Sequence, residues 1–377
     1  VTDVAVIGFA QSPCVRRGDG TTSGVEMLVP IFAEVRASTG LDRRDIGFWC
    51  SGSSDYLAGR AFSFVSAVDA IGAFPPIMES HVEMDGAWAL YEAWVKILTG
   101  EADVALAYGF GKSSAGELRR VLALQLDPYL LAPLWPDSVS IAALQARLGI
   151  EAGLWSEKDM AEVAARSRAA AVTNPQAQVS GEISAEELVA QPYIADPLRA
   201  HDCAPVGDGA AAVILASGER ASELCQRPAW ITGFEHRIDS ALLGSRDLTT
   251  VPSAAAAGRA AGVSGSDGSG SGGPGASGSG VPGAAGGLGA AGIDVAELHA
   301  PFTHQEILLR GALGLGDGTC INPSGGALCG NPMFAAGLAR IGMAAREIMS
   351  GRAGRVLGPA TSGPALQQNL VCVMEAR

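Results

Sequence analysis

Residues 84–113, MDGAWALYEAWVKILTGEADVALAYGFGKS, and residues 331–363, NPMFAAGLARIGMAAREIMSGRAGRVLGPATSG, carry one pattern twice. Each has a small-residue turn, an amphipathic helical run, a glycine at its close and an apolar strand. Earlier segments pair in the same order, VAVIGFAQSP (4–13) with PAWITGFEHR (228–237), and GLDRRDIGFWCSG (40–52) with AGIDVAELHAPF (291–302). Short apolar runs such as DVAVIGF, DVALAYGFG and GAAAVILAS alternate with alanine- and leucine-rich helical stretches. This alternation predicts α/β architecture with helices on both faces of the sheets, and the repeat predicts two similar halves.

The expected organisation is an N-terminal half from 1–112 and 191–225, an inserted loop domain at 113–190, and a C-terminal half at 226–377. Within the last, residues 263–289 (VSGSDGSGSGGPGASGSGVPGAAGGLG) form a Gly/Ser tract. Such a composition cannot offset its ordering entropy by burial, so a flexible surface loop is expected. The tract lacks the strand, lysine and helix start that would make its glycines a phosphate cradle.

A chain of 377 residues with 48% hydrophobic and 17% charged residues is long enough for an enclosed site. Its net charge of −13, from 26 basic and 39 acidic residues, speaks against nonspecific binding to nucleic acid or to an anionic membrane. No apolar run approaches the roughly 20 residues of a membrane span. The seven cysteines are scattered without C-x-x-C spacing, and no metal-ligand pattern stands out. Reduced thiols in a cytoplasmic chain are the expectation.

Taken together, the two halves, GEADVALAYGFGKSSAG, HDCAPVGDGAAAVILAS, AELHAPFTHQEI and INPSGGALCGNPMFAAGLAR resemble the thiolase superfamily over nearly the whole chain. The branch of sterol-carrier-protein thiolases and bacterial lipid-transfer proteins is the most similar, its His-Asp-Cys-Phe box standing here as HAPF, His299 to Phe302. The resemblance implies a five-layer α-β-α-β-α fold of duplicated half-domains with an inserted loop domain that helps to hold coenzyme A, in an assembly of at least two copies. It also implies an acyl-accepting cysteine at a helix start, a Gly-His-Pro histidine and a late cysteine. All three are changed. The Cys-x-x-Gly pattern falls on EMDG, so Glu83 stands for the nucleophile; Gly-His-Pro falls on GNP, placing Asn331 or Pro332 at the histidine; and the late cysteine falls near Ser362 or Gly363.

His299 is the family position that remains, and the resemblance implies that it donates a hydrogen bond to the thioester oxygen. Glu83 has two roles open to it, a general base or a carboxylate at a helix end, and Asp85 reads as a cap. His304 reaches toward the same cleft or is structural. Cys329, in a glycine-rich turn, is a displaced nucleophile or a buried thiol. Cys203 reads as packing. Lys112, Arg119, Arg120 and Lys158 are candidates for the coenzyme A phosphates, or solvated surface.

With the usual route of thioester exchange lost along with the cysteine, the reaction expected from the remaining groups is retro-aldol cleavage of a carbon–carbon bond in a coenzyme A thioester of lipid or sterol breakdown. It needs a base and oxyanion donors, with no covalent acyl-enzyme. Two alternatives stand beside it, a non-catalytic acyl-CoA-binding subunit or scaffold, and an acetyl-CoA acyltransferase using Cys329. Coenzyme A enters as part of the substrate, with no covalently bound cofactor. Some relatives imply a small OB-fold, zinc-ribbon partner protein.

Overall fold

The computed structural model describes residues 2–17, 24–58, 62–263 and 292–377. Apart from Val263, which is buried, the Gly/Ser tract read as a flexible loop lies outside the described residues. The N-terminal elements are β1 (Val4–Gln11), α1 (Leu28–Thr39), β2 (Phe48–Gly52), α2 (Asp55–Ala58), α3 (Val65–Ile71), β3 (Glu79–Val82), α4 (Gly86–Leu98) and β4 (Val104–Lys112). The next segment carries α5 (Leu118–Leu124), α6 (Ser138–Glu151), α7 (Glu157–Ala170), α8 (Ala185–Val189) and the hairpin β5 (Tyr193–Ala195) and β6 (Leu198–Arg199). It returns through β7 (Val206–Ser217) and α9 (Gly218–Leu224). The remainder comprises β8 (Ala229–Ile238), α10 (Pro252–Ala260), β9 (Val295–Ala296), α11 (Thr303–Ala312), β10 (Cys320–Ile321), β11 (Asn331–Pro332), α12 (Ala336–Met349), β12 (Arg355–Ser362) and β13 (Gln368–Glu375).

The repeat read in the sequence is a repeat of topology. One half orders its strands β3-β2-β4-β7-β1 and the other β10-β9-β12-β13-β8. In each, the first three strands run parallel and the last two join antiparallel. The halves meet where β1 pairs with β8 at Ala5–Trp230 and Val6–Ala229, which joins them into one 11-stranded sheet that includes β11.

Burial separates the layers. The outer helix α1 buries Leu28, Ile31, Phe32, Val35 and Thr39, a single stripe at helical spacing. By contrast, α12 buries eleven of its fourteen residues, because it lies between the two halves. A Cβ on its Gly342 would meet the Phe9 ring of β1 at 2.1 Å, while one on Gly358 of β12 would meet Ile341 Cα at 2.7 Å. Together α4 and α12 form the middle layer. Along β1, Val4, Val6 and Phe9 face that layer, and Ala5, Ile7 and Ala10 face the outer helices. The change of phase after Val6 follows from a register irregularity between Val6 and Gly8.

Close backbone approaches set the site's position. Gly86 N, at the start of α4, donates to Phe334 O at 2.8 Å, and a Cβ on Gly109 of β4 would stand 2.0 Å from that same oxygen. Phe334 holds a left-handed φ of 64° there. Gly109→Ala must push the Met333–Phe334 segment away from β4, and we expect it to cost about 1–3 kcal/mol of stability, typical of overpacking. Urea unfolding of the variant beside wild type measures this; an unchanged midpoint would contradict the packing described.

Candidate active site

A cavity of about 530 Å³ opens where α4 and α12 begin. It is lined by Glu83 at its rim, by Asp85, His299, Asn331 and Thr361, and on an apolar side by Leu118, Leu122, Leu131, Val139 and Ile141 of the segment between β4 and β5. The β12–β13 loop contributes Gly363 to Gln367, where Ala365 and Leu366 hold left-handed φ values of 51° and 58°. With Phe334, that places three strained backbones on this one cavity, a clustering common at functional sites.

His299 follows β9 and is 7% exposed. Its Nδ1 accepts from Thr361 N at 3.1 Å, and its carbonyl accepts from Thr361 Oγ1 at 3.0 Å, so β12 holds both ends of the residue. A backbone N–H can only donate, which leaves Nδ1 without a proton and puts the hydrogen of the neutral ring on Nε2. Nε2 lies 3.0 Å from Asn331 Oδ1 and donates to it. The reverse amide orientation would set N–H against N–H. Asn331 is held by the pairing of β11 with the start of β7, and its Nδ2 hydrogens, for which no partner occurs among the described residues, are left for the cavity. Burial lowers the His299 pKa below its ordinary value, against the pull of the Asp85 carboxylate, so the neutral ring persists at neutral pH.

Behind this pair, buried polar groups fix the strand ends. Arg340 of α12 pairs with Glu297 at 3.1 Å, and Glu297 also accepts from Ser324 N at 2.9 Å and Ser324 Oγ at 2.7 Å. Asn322 accepts from Leu298 N at 2.6 Å and donates to Glu306 at 2.8 Å. Breaking such fully buried pairs leaves an uncompensated charge, so the backbone on either side of His299 has little freedom.

Asp85 caps α4, as its sequence position implies, its Oδ1 accepting from Ala87 N at 2.9 Å. It also accepts from Gly337 N and Leu338 N at the start of α12, which the sequence did not announce. Glu83 lies at the cavity rim, exposed, with Oε1 accepting from Asp55 N at 2.8 Å.

Several sequence candidates stand elsewhere. His304 is fully buried outside the cavity lining, with Nε2 3.2 Å from Gln145 Oε1, and burial drives its pKa down to about 3. Cys329 is buried outside the lining too, and burial pushes its thiol up to about 11, which disfavours the thiolate that a nucleophile needs. Cys203, read as packing, lines the cavity, yet burial pushes its thiol up to about 12 and Sγ donates to Arg199 O at 3.7 Å. Of the basic candidates, Arg119 lines the cavity and pairs with Asp137 at 3.5 Å. Lys112, Arg120 and Lys158 lie outside its lining, the last beside Glu162 at 3.8 Å. Among the described residues no cluster of three or more metal-ligating side chains occurs, and no helix is long and apolar enough to cross a membrane.

No protein-family model matches the chain. Among curated proteins it is 25% identical over 362 residues to an acetyl-CoA acetyltransferase of Methanothermobacter thermautotrophicus, covering 90% of this chain and 88% of that protein. It is 29% identical over 316 residues to human sterol carrier protein 2, covering 76% of this chain and 54% of that protein. A shorter match, 32% over 147 residues and 36% of this chain, is to the 17-hydroxy-3-oxo-4-pregnene-20-carboxyl-CoA lyase of Mycobacterium tuberculosis, of which it covers 38%. Among solved structures, one described as "Ltp2-ChsH2(DUF35) aldolase" superposes with a TM-score of 0.76 at 19% identity, over 99% of this chain and 98% of that one. Human mitochondrial 3-ketoacyl-CoA thiolase gives a TM-score of 0.76 at 16% identity over 100% and 99%.

The ring of His299 decides which donor faces the cavity. Nitrogen-15 NMR of histidine side chains at pH 7 is expected to show a pyrrole-type Nε2 and a pyridine-type Nδ1 for His299, with no titration midpoint near 6.5. The opposite tautomer, or an imidazolium forming near neutral pH, would contradict the hydrogen-bond assignment.

Proposed function

We propose that the chain, similar in sequence to acetyl-CoA acetyltransferase and sterol carrier protein 2 and in fold to thiolases, cleaves a carbon–carbon bond of a β-hydroxyacyl-CoA thioester by retro-aldol chemistry, without a covalent acyl-enzyme. A base takes the proton of the β-hydroxyl, its oxygen becomes the carbonyl of the first product, and the Cα–Cβ bond breaks. The electron pair moves onto the thioester as an enolate, and a proton at Cα completes a shortened acyl-CoA. Glu83 is the base in this reading. Its Oε1 is engaged by Asp55 N, and Oε2 is left for the hydroxyl. Coenzyme A enters with the substrate, Arg119 being the basic candidate that lines the cavity.

The observation that carries the reading is the His299–Asn331 pair. The resemblance puts a histidine at the position of Asn331; here an asparagine stands there, bonded to His299. Asn331 Nδ2 is the donor that meets the enolate oxygen, and His299, locked by Thr361, aims it. An amide donor held in one orientation by its neighbours stabilises an oxyanion without need of a thiolate. The lyase and aldolase names among the similar proteins support the same chemistry. The apolar wall suits a bulky lipid or sterol acyl group. An assembly of at least two copies, with a small OB-fold, zinc-ribbon partner, belongs to this proposal. A second reading, acyl-CoA binding without turnover, is favoured by one observation, that the ring N–H of His299 is already committed to Asn331.

Mass spectrometry of β-hydroxyacyl-CoA substrates with the protein, alone and with a candidate partner, tests the first reading by the appearance of a carbonyl compound and a shortened acyl-CoA in equal amounts. On the best substrate, Asn331→Ala and His299→Ala are expected to lose about 100- to 1,000-fold in turnover while acyl-CoA affinity stays within a few-fold. Binding without any turnover would move the conclusion to the second reading.

A further inference from the structure

One cavity group has no step in that reaction. Asp85 is 5% exposed, and its two oxygens take three backbone N–H groups from two helices: Ala87 N at 2.9 Å on α4, and Leu338 N at 2.9 Å and Gly337 N at 3.0 Å on α12. The helices span 13 and 14 residues, and both turn their positive ends toward the cavity. The fit is close, since a Cβ on Gly337 would stand 2.6 Å from Asp85 Oδ1. Free N–H groups at such ends stabilise an anion. Here the anion is supplied by the chain, two residues from Glu83, the position that matches the acyl-accepting cysteine of the superfamily.

We propose that Asp85 is a positioning residue, an internal carboxylate that fills the anion seat of α4 and α12 and so prevents any thiolate or oxyanion from being stabilised there. The missing cysteine is then only half of the change. A thiol restored at position 83 would find the nearest N–H donors taken and a fixed negative charge beside it. Negative charge developing in the cavity is confined to the Asn331 amide. This last consequence rests on the retro-aldol reading; the occupied seat does not.

The test needs no substrate. Glu83→Cys introduces a thiol whose ionisation is read from the pH dependence of its alkylation by iodoacetamide, with peptide mapping to separate it from the seven native cysteines. With Asp85 in place, the introduced thiol is expected to titrate at or above the ordinary value of about 8.5. In Glu83→Cys with Asp85→Ser, where the hydroxyl still caps α4 but the charge is gone, the midpoint is expected to fall by about one unit or more, with alkylation near neutral pH at least several-fold faster. Asp85→Asn in the same background gives a second neutral seat should the serine variant fail to fold. A midpoint well below 8 in Glu83→Cys alone would overturn the proposal, as would a neutral-seat variant whose midpoint matches that of the single substitution. Either result would leave the turnover tests of Asn331 and His299 unaffected, so failure here is separable from failure of the proposed reaction.

Discussion

The joint between the two halves is closed by one carboxylate. Asp85 ends the turn before α4 and reaches across to the first N–H groups of α12, so the two central helices share a single cap. The backbone bond from Gly86 N to Phe334 O runs beside it. These contacts tie the N-terminal half to the segment that follows β11, the strand that carries Asn331. If the cap were lost, the middle layer could shift against either sheet, and the geometry of the cavity would shift with it.

From that joint the site follows by hydrogen-bond logic. Thr361 N can only donate, His299 Nδ1 must therefore accept, and the remaining proton points Asn331's carbonyl inward and its amide hydrogens outward. Each member has one orientation that satisfies its neighbour. Such a network is rigid for the same reason that it is costly to break, since a buried donor left unpaired carries its full desolvation penalty. The strained backbones at Phe334, Ala365 and Leu366 fit this description of a site held by its surroundings.

The duplication was legible in the sequence because it rests on apolar period, glycine position and order along the chain, and these survive when individual residues change. The matched segments around Val4 and Ala229, or Gly86 and Ala336, fall on equivalent elements of the two halves. His299 and Asn331 were both legible as members of separate boxes, but not as a pair, because their contact depends on the parallel pairing of β11 with β7. Burial was only partly legible. Cys329 had two readings in its glycine-rich turn, and it is the buried one that the packing of that turn matches; Cys203 read as packing and lines the cavity. The second role of Asp85 left no local signal, since its partners lie some 250 residues away along the chain.

The most direct measurement is an experimental structure with a coenzyme A thioester bound, using an acyl group that cannot undergo cleavage. Retro-aldol chemistry at Asn331 requires the thioester oxygen to lie within about 3 Å of Asn331 Nδ2, with Asp85 still bonded to α4 and α12 and the sulfurs of Cys203 and Cys329 unmodified. A thioester carbonyl carbon against either cysteine, an acyl adduct on one of them, or the oxygen seated at the helix ends in place of Asp85 would contradict the account.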